Sequence, residues 1–131
     1  MPVAARRLIA LAAILLAVAT LIGALGAHVL RARLGTDQIA ILETAVHYQF
    51  FHSLGLLAVG VLAVTHGGRL LHVAGALLGA GIVLFCGSLY LLLAAAPRVI
   101  GVLTPLGGLC LIAGWLLVAL VALRARAAGG S

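Results

Sequence analysis

Polar positions are rare in this 131-residue chain and fall at breaks between long apolar runs. A basic head, Met1 to Arg7, leads into an apolar run over residues 8–29. About 20 helical residues cross a hydrocarbon core of roughly 30 Å, so the run predicts a first transmembrane helix. A secretory signal is the rival reading, but its apolar region extends only about 7–15 residues, so an uncleaved span is expected. Arg31 to Gln38 is polar and predicts a loop, with Thr36 or Asp37 placed to cap a helix near Gln38. Residues 38–44 mix Ile39, Ala40 and Leu42 with Gln38, Glu43 and Thr44, an amphipathic turn at the surface or the wet start of a second span over 45–64. Thr65-His66-Gly67-Gly68-Arg69 is too short for anything but a tight connection, so a third span over 70–96 must run antiparallel to the second. Pro97 disfavours helix at the residue before it and ends that span. Val99 to Leu103 reads as an interfacial linker, and Thr104-Pro105 as an N-cap and first helical position opening a fourth span over 105–123. The predicted fold class is all-α: an integral membrane bundle of four transmembrane helices with short loops and no soluble domain.

Composition sharpens this picture. Hydrophobic residues make up 66% of the chain, charged residues 8%, and mean hydropathy is +1.37. Soluble domains carry roughly 25% charged residues, so this chain could not cover itself with a polar surface. The formal charge of +6 comes from arginine alone, for there is no lysine. The arginines stand singly or in pairs at the edges of apolar runs, which marks topology determinants and excludes a nucleic-acid partner. Arg6, Arg7, Arg69, Arg124 and Arg126 fall on the side of the termini, against Arg31, Arg33 and Arg98 on the other, five against three. The bias predicts both termini in the cytoplasm.

Small residues recur at helical spacing. Gly23 and Ala27 continue a stripe from Ala12 and Ala19, Gly75 and Gly79 form a GxxxG pair, and Gly107 and Gly108 open the fourth span. Such positions let helices approach closely where lipid supplies no hydrophobic drive.

The polar residues that remain are not scattered evenly. The stretch Thr44-Ala-Val-His-Tyr-Gln-Phe-Phe-His-Ser-Leu54 heads the second span, with Glu43 just before it. At 100° per residue Glu43 and His47 share one face and Tyr48 and His52 another. His28 ends the first span, Ser88 and Tyr90 lie near the end of the third, and Thr104 opens the fourth. Alternating helix directions bring His28, Tyr48, Gln49, His52, Ser88, Tyr90 and Thr104 to the non-cytoplasmic leaflet. An unpartnered buried polar group costs about 1–3 kcal/mol, so these groups bond one another, face water or bind a ligand. A closed network, with His52 bonded to Tyr48 or Tyr90, is one reading; a small-ligand site is the other. No H-x-x-x-H or C-x-x-C spacing supports a metal centre, so no metal and no cofactor is expected. Cys86 and Cys110 read as small apolar filler. The carboxylates are Asp37 and Glu43, both near the interface, so a catalytic triad lacks its acid and no enzyme is expected.

Five segments in order carry a family resemblance: Gly23-Ala-Leu-Gly-Ala-His28, Thr44-Ala-Val-His-Tyr-Gln-Phe-Phe-His52, Phe85-Cys-Gly-Ser-Leu-Tyr90, Thr104-Pro-Leu-Gly-Gly108 and Ala113-Gly-Trp115. Together they resemble the small integral membrane family of unknown function that contains transmembrane protein 256 and its bacterial relatives. The resemblance extends from about Leu8 to Leu123. It implies a four-helix protein of the bacterial cell membrane, mitochondrial in animals, and supplies no activity. Its motif positions here are His28, Tyr48, Gln49, His52, Gly87, Ser88, Tyr90, Thr104, Pro105, Gly107, Gly108 and Trp115. Cys86 departs from the small residue or serine the family implies, which argues against an essential thiol.

The sequence therefore predicts a non-enzymatic accessory or scaffold bundle in the bacterial inner membrane. It would pack with another membrane protein or with a second copy of itself. The alternative is binding or transport of a small polar ligand or metal at the outer-leaflet cluster.

Overall fold

The computed structural model describes residues 1–130, the side chain of Ala127 excepted. It contains four long helices: α1 (Val3–His28), α2 (Thr36–Thr65), α3 (Arg69–Leu93) and α4 (Leu103–Ala128). Short 3-10 turns, Leu30–Ala32 and Arg98–Val102, lead into α2 and α4. All four helices are long and apolar enough to cross a membrane. In lipid every backbone polar group must be satisfied within the segment, which is why runs of this composition become helices.

Helix ends differ in detail from the sequence reading. The amphipathic turn 38–44 is no separate element but the opening of α2, a single helix of 30 residues. At 1.5 Å per residue it measures about 45 Å, so its polar first turns reach past a core of roughly 30 Å. Its N-cap is Gly35, not Thr36 or Asp37: the Gly35 amide donates to Gln38 Oε1 at 3.1 Å, tying off the entering chain. α3 ends at Leu93, before Ala96, in a Schellman turn. The Ala96 amide donates to the Leu91 carbonyl at 3.0 Å and the Ala95 amide to Leu92 at 3.2 Å, with Ala95 at φ 65°. α4 begins at Leu103, and Thr104 does not cap it.

The central pair of the bundle is α2 and α3; α1 packs on α2 and also touches α3, and α4 packs on α3. α1 presents Ala5, Ala12 and Ala19, each fully buried and seven residues apart, the spacing of a left-handed helix crossing. Glycines admit the neighbouring helices. A Cβ at Gly60 would lie 2.8 Å from Ile9 Cγ1 and 3.1 Å from the Ile9 backbone nitrogen. The expected Gly75 and Gly79 face meets α1, through Leu8 at 2.8 Å and Leu11 at 3.4 Å from the same hypothetical atom. Gly81 and Gly114 receive Leu111 and Leu78 across the α3–α4 contact. At Gly107 a Cβ would lie 2.8 Å from the Phe85 Cα, so two backbones touch there. Gly108 is in ordinary contact with the Phe85 ring at 3.8 Å, and Gly23 with Val46 at 3.4 Å. Ala27 does not pack in this way: it is exposed, and Gly26 is the residue that meets Leu42 of α2. The reason is rotational, since the buried stripe of α1 runs through Ala5, Ala12 and Ala19, and Ala27 lies off it.

Candidate functional site: a split polar cluster and an aromatic groove

The polar stretch of α2 sends its side chains to different neighbours. Gln49 is 2% exposed and links three helices. Its Nε2 donates to the Leu15 carbonyl of α1 at 2.8 Å, and its Oε1 accepts from the Tyr90 hydroxyl of α3 at 2.7 Å. Ser88 and Thr104 form a second unit between α3 and α4. Their hydroxyl oxygens are 2.6 Å apart, and Ser88 Oγ also donates to the Phe85 carbonyl at 2.8 Å. Thr104 lies within the first turn of α4, past the N-cap Val102, so its hydroxyl is turned to α3 and does not cap the helix.

His52 does not make the expected bond to a tyrosine hydroxyl. Its Nδ1 lies 2.7 Å from the Tyr48 backbone carbonyl, one turn back on its own helix. A carbonyl only accepts, so Nδ1 carries a proton, and Nε2 makes no hydrogen bond to the described residues. Tyr90, the other expected partner, is engaged by Gln49. The Tyr48 ring stacks on Phe85 at 4.3 Å and on His52 at 5.3 Å between centroids, and the His52 ring lies 6.3 Å from the Trp115 indole. A bare Gly55 makes room for that indole on α2.

These rings border an open groove between α2 and α4, of about 640 Å³, lined by His47, Tyr48, Phe51, His52, Phe85, Trp115 and neighbouring aliphatics. α2 and α4 are each packed on α3, and Trp115 of α4 reaches across to Gly55 of α2, leaving the groove open beside it. Phe51 is 67% exposed at its edge.

His28 is not part of the cluster. It is exposed at the end of α1, where the chain turns into the first loop. Glu43 binds Arg31 at 3.1 Å in an exposed ion pair, and so does not partner His47. Among the described residues no three His, Cys, Asp or Glu side chains converge as metal ligands. The predicted cluster thus resolves into a buried Gln49–Tyr90 link, a Ser88–Thr104 link and the groove bearing Tyr48 and His52. Sequence reasoning missed Ser53, fully buried one turn beyond Gln49 with its hydroxyl unpartnered, and Gly55 opposite Trp115. The one-turn spacing from Gln49 was the available signal for Ser53.

Four spanning helices joined by short turns, with polar groups bonded across helices, define a multi-pass membrane protein. The family described as a protein of unknown function (DUF423) matches residues 22–108, and the chain belongs to it. The UPF0382 membrane protein SH2409 of Staphylococcus haemolyticus is 45% identical over 73% of this chain and 78% of that protein. The UPF0382 membrane protein YwdK of Bacillus subtilis is 38% identical over 79% and 85%, respectively. The UPF0382 inner membrane protein YgdD of Escherichia coli K12 is 36% identical over 84% of both. No solved structure matches the chain. With these relatives and its four spanning helices, the chain is a multi-pass protein of the bacterial inner membrane.

Proposed function

We propose that this protein is a non-enzymatic accessory or scaffold bundle, with both termini cytoplasmic. It packs through the α2–α4 groove against a helix of another membrane protein or of a second copy. One observation carries the reading: two imidazoles, His47 and His52, line an open groove along helices long and apolar enough to span a membrane. His52 lies about 20 Å along α2 from the Thr65 end, inside a hydrocarbon core of roughly 30 Å. A polar ring at that depth is unfavourable against acyl chains and favours a covering partner. The buried polar groups support the non-enzymatic part. Gln49, Tyr90, Ser88 and Thr104 bond one another and leave little chemistry to offer a substrate. The test is a photo-crosslinking residue at Phe51 or Ile112 in membranes, with Val83 on α3 as the control. A discrete protein adduct from the groove positions and none from Val83 is expected. Equal labelling of lipid alone from all three positions overturns the partner.

The free Nε2 of His52 favours a second reading. A ring nitrogen flanked by Tyr48 and Trp115 fits a lipid-soluble molecule with a planar ring and a hydroxyl group. Native mass spectrometry separates the two: this reading requires a bound non-protein mass that His52→Leu removes.

A further inference from the structure

The end of the bundle that carries both termini holds a second hollow, away from the groove. His66, Gly67 and Gly68 of the α2–α3 turn, Arg69 and Leu71 of α3, and Val121 and Arg124 of α4 border an open hollow of about 270 Å³. Its walls are cationic without local compensation. The carboxylate side chains, Asp37 and Glu43, sit at the other end of the bundle, and the ion pair among the described residues is Arg31–Glu43. Arg69 and Arg124 are therefore unpaired by any acidic side chain. The backbone adds to the field: the N-cap of α3 is Gly68, with no side-chain cap, and the first residues of the helix line the hollow, so the positive end of its dipole lies there. Nothing lies within 4 Å of where a Cβ of Gly68 would be, so the turn is open.

A second observation indicates what enters. An apolar groove of about 220 Å³ between α2 and α4 is contiguous with the hollow, sharing His66, Leu71 and Val121 with it. Leu62, Val118, Ala122 and Ala125 complete its walls, running from the turn into the spanning part of the bundle. A cationic head site joined to an apolar channel matches an amphiphile with an anionic head. We propose that this is a binding site for an anionic diacyl phospholipid. Its phosphodiester sits between Arg69, Arg124 and the α3 N-terminus, and one acyl chain lies along Leu62, Val118 and Ala125. A free phosphate would use the arginines and leave the groove empty. Basic pockets between membrane helices bind anionic headgroups by this combination.

The test is native mass spectrometry and thermal stability of the full chain in neutral detergent. Phosphatidylglycerol, phosphatidylcholine and inorganic phosphate are the probes. Phosphatidylglycerol alone should remain bound and raise Tm. The double variant Arg69→Gln/Arg124→Gln should weaken it roughly tenfold to thirtyfold, two charges each acting near a membrane surface. Ala125→Phe, which fills the groove and keeps both arginines, should weaken it as well. Arg31→Gln/Arg33→Gln at the opposite end should not. Equal retention of phosphatidylglycerol by wild type and the Arg69/Arg124 variant overturns the site. Full stabilisation by inorganic phosphate, or no effect of Ala125→Phe, overturns the lipid as its occupant.

Discussion

Tyr90 donates its phenolic proton to Gln49 Oε1 at 2.7 Å, and the same amide donates onward to the Leu15 carbonyl at 2.8 Å. One amide thus fixes the rotation of α1, α2 and α3 about one another. The Leu15 carbonyl has an intrahelical partner as well, so the bond to Tyr90 is where removal leaves an orphan. Tyr90→Phe should destabilise by about 0.5–1.5 kcal/mol and Gln49→Leu by about 1–3 kcal/mol. The double variant should lose less than their sum. A thermal-unfolding cycle in detergent checks it, and strict additivity would show that the link contributes nothing.

Two buried serines should respond in opposite senses to alanine. Ser88 is bonded to Thr104 at 2.6 Å, so Ser88→Ala orphans the threonine hydroxyl and should lower stability by about 1 kcal/mol. Ser53 is fully buried with its hydroxyl unpartnered, so Ser53→Ala should be neutral or stabilising by up to about 1 kcal/mol. Equal losses for both would contradict this account of the core.

Glycine contacts can be ranked the same way. A Cβ at Gly107 would lie 2.8 Å from the Phe85 Cα, and backbone cannot move aside as a side chain can. At Gly87 nothing lies within 4 Å of that position. Gly107→Ala should therefore destabilise by about 1–3 kcal/mol, whereas Gly87→Ala should be tolerated or slightly stabilising. Gly79→Leu should also destabilise, because its side chain must enter the space of Leu11. Melting temperatures in detergent decide the order.

The C-terminal turn of α3 holds a correctable defect. Ala95 occupies the left-handed position of a Schellman turn at φ 65°, where a Cβ is strained by about 1 kcal/mol. Ala95→Gly should raise stability by up to about 0.5 kcal/mol once the extra backbone entropy of glycine is subtracted. A lowered melting temperature would refute it.

Topology is open to direct labelling. With Cys86 and Cys110 replaced by alanine, a cysteine at Asp37 should react with an impermeant reagent added outside intact cells, and one at Gly130 should not. The reverse pattern would invert the protein in the membrane.

The sequence alone determined the class and the four helices, because those depend on local quantities. Run length against bilayer thickness, arginines at run edges and Pro97 after the third run are all readable along one chain. It also marked Gln49, Ser88, Tyr90 and Thr104 as polar groups needing partners. Which partner each took was decided only by tertiary structure. Gln49 reaches Tyr90 across 41 residues and Ser88 reaches Thr104 across 16, while His52 turns to its own helix. The physical reason is the solvent. In water a helix shows its buried face by its apolar stripe, but in lipid the buried and lipid-facing sides are equally apolar, so the pattern does not set rotation. Close contacts set it instead, at Gly60, Gly107 and Gly114, whose neighbours lie on other helices. Those same rotations left His28 and Ala27 exposed and opened the groove between α2 and α4.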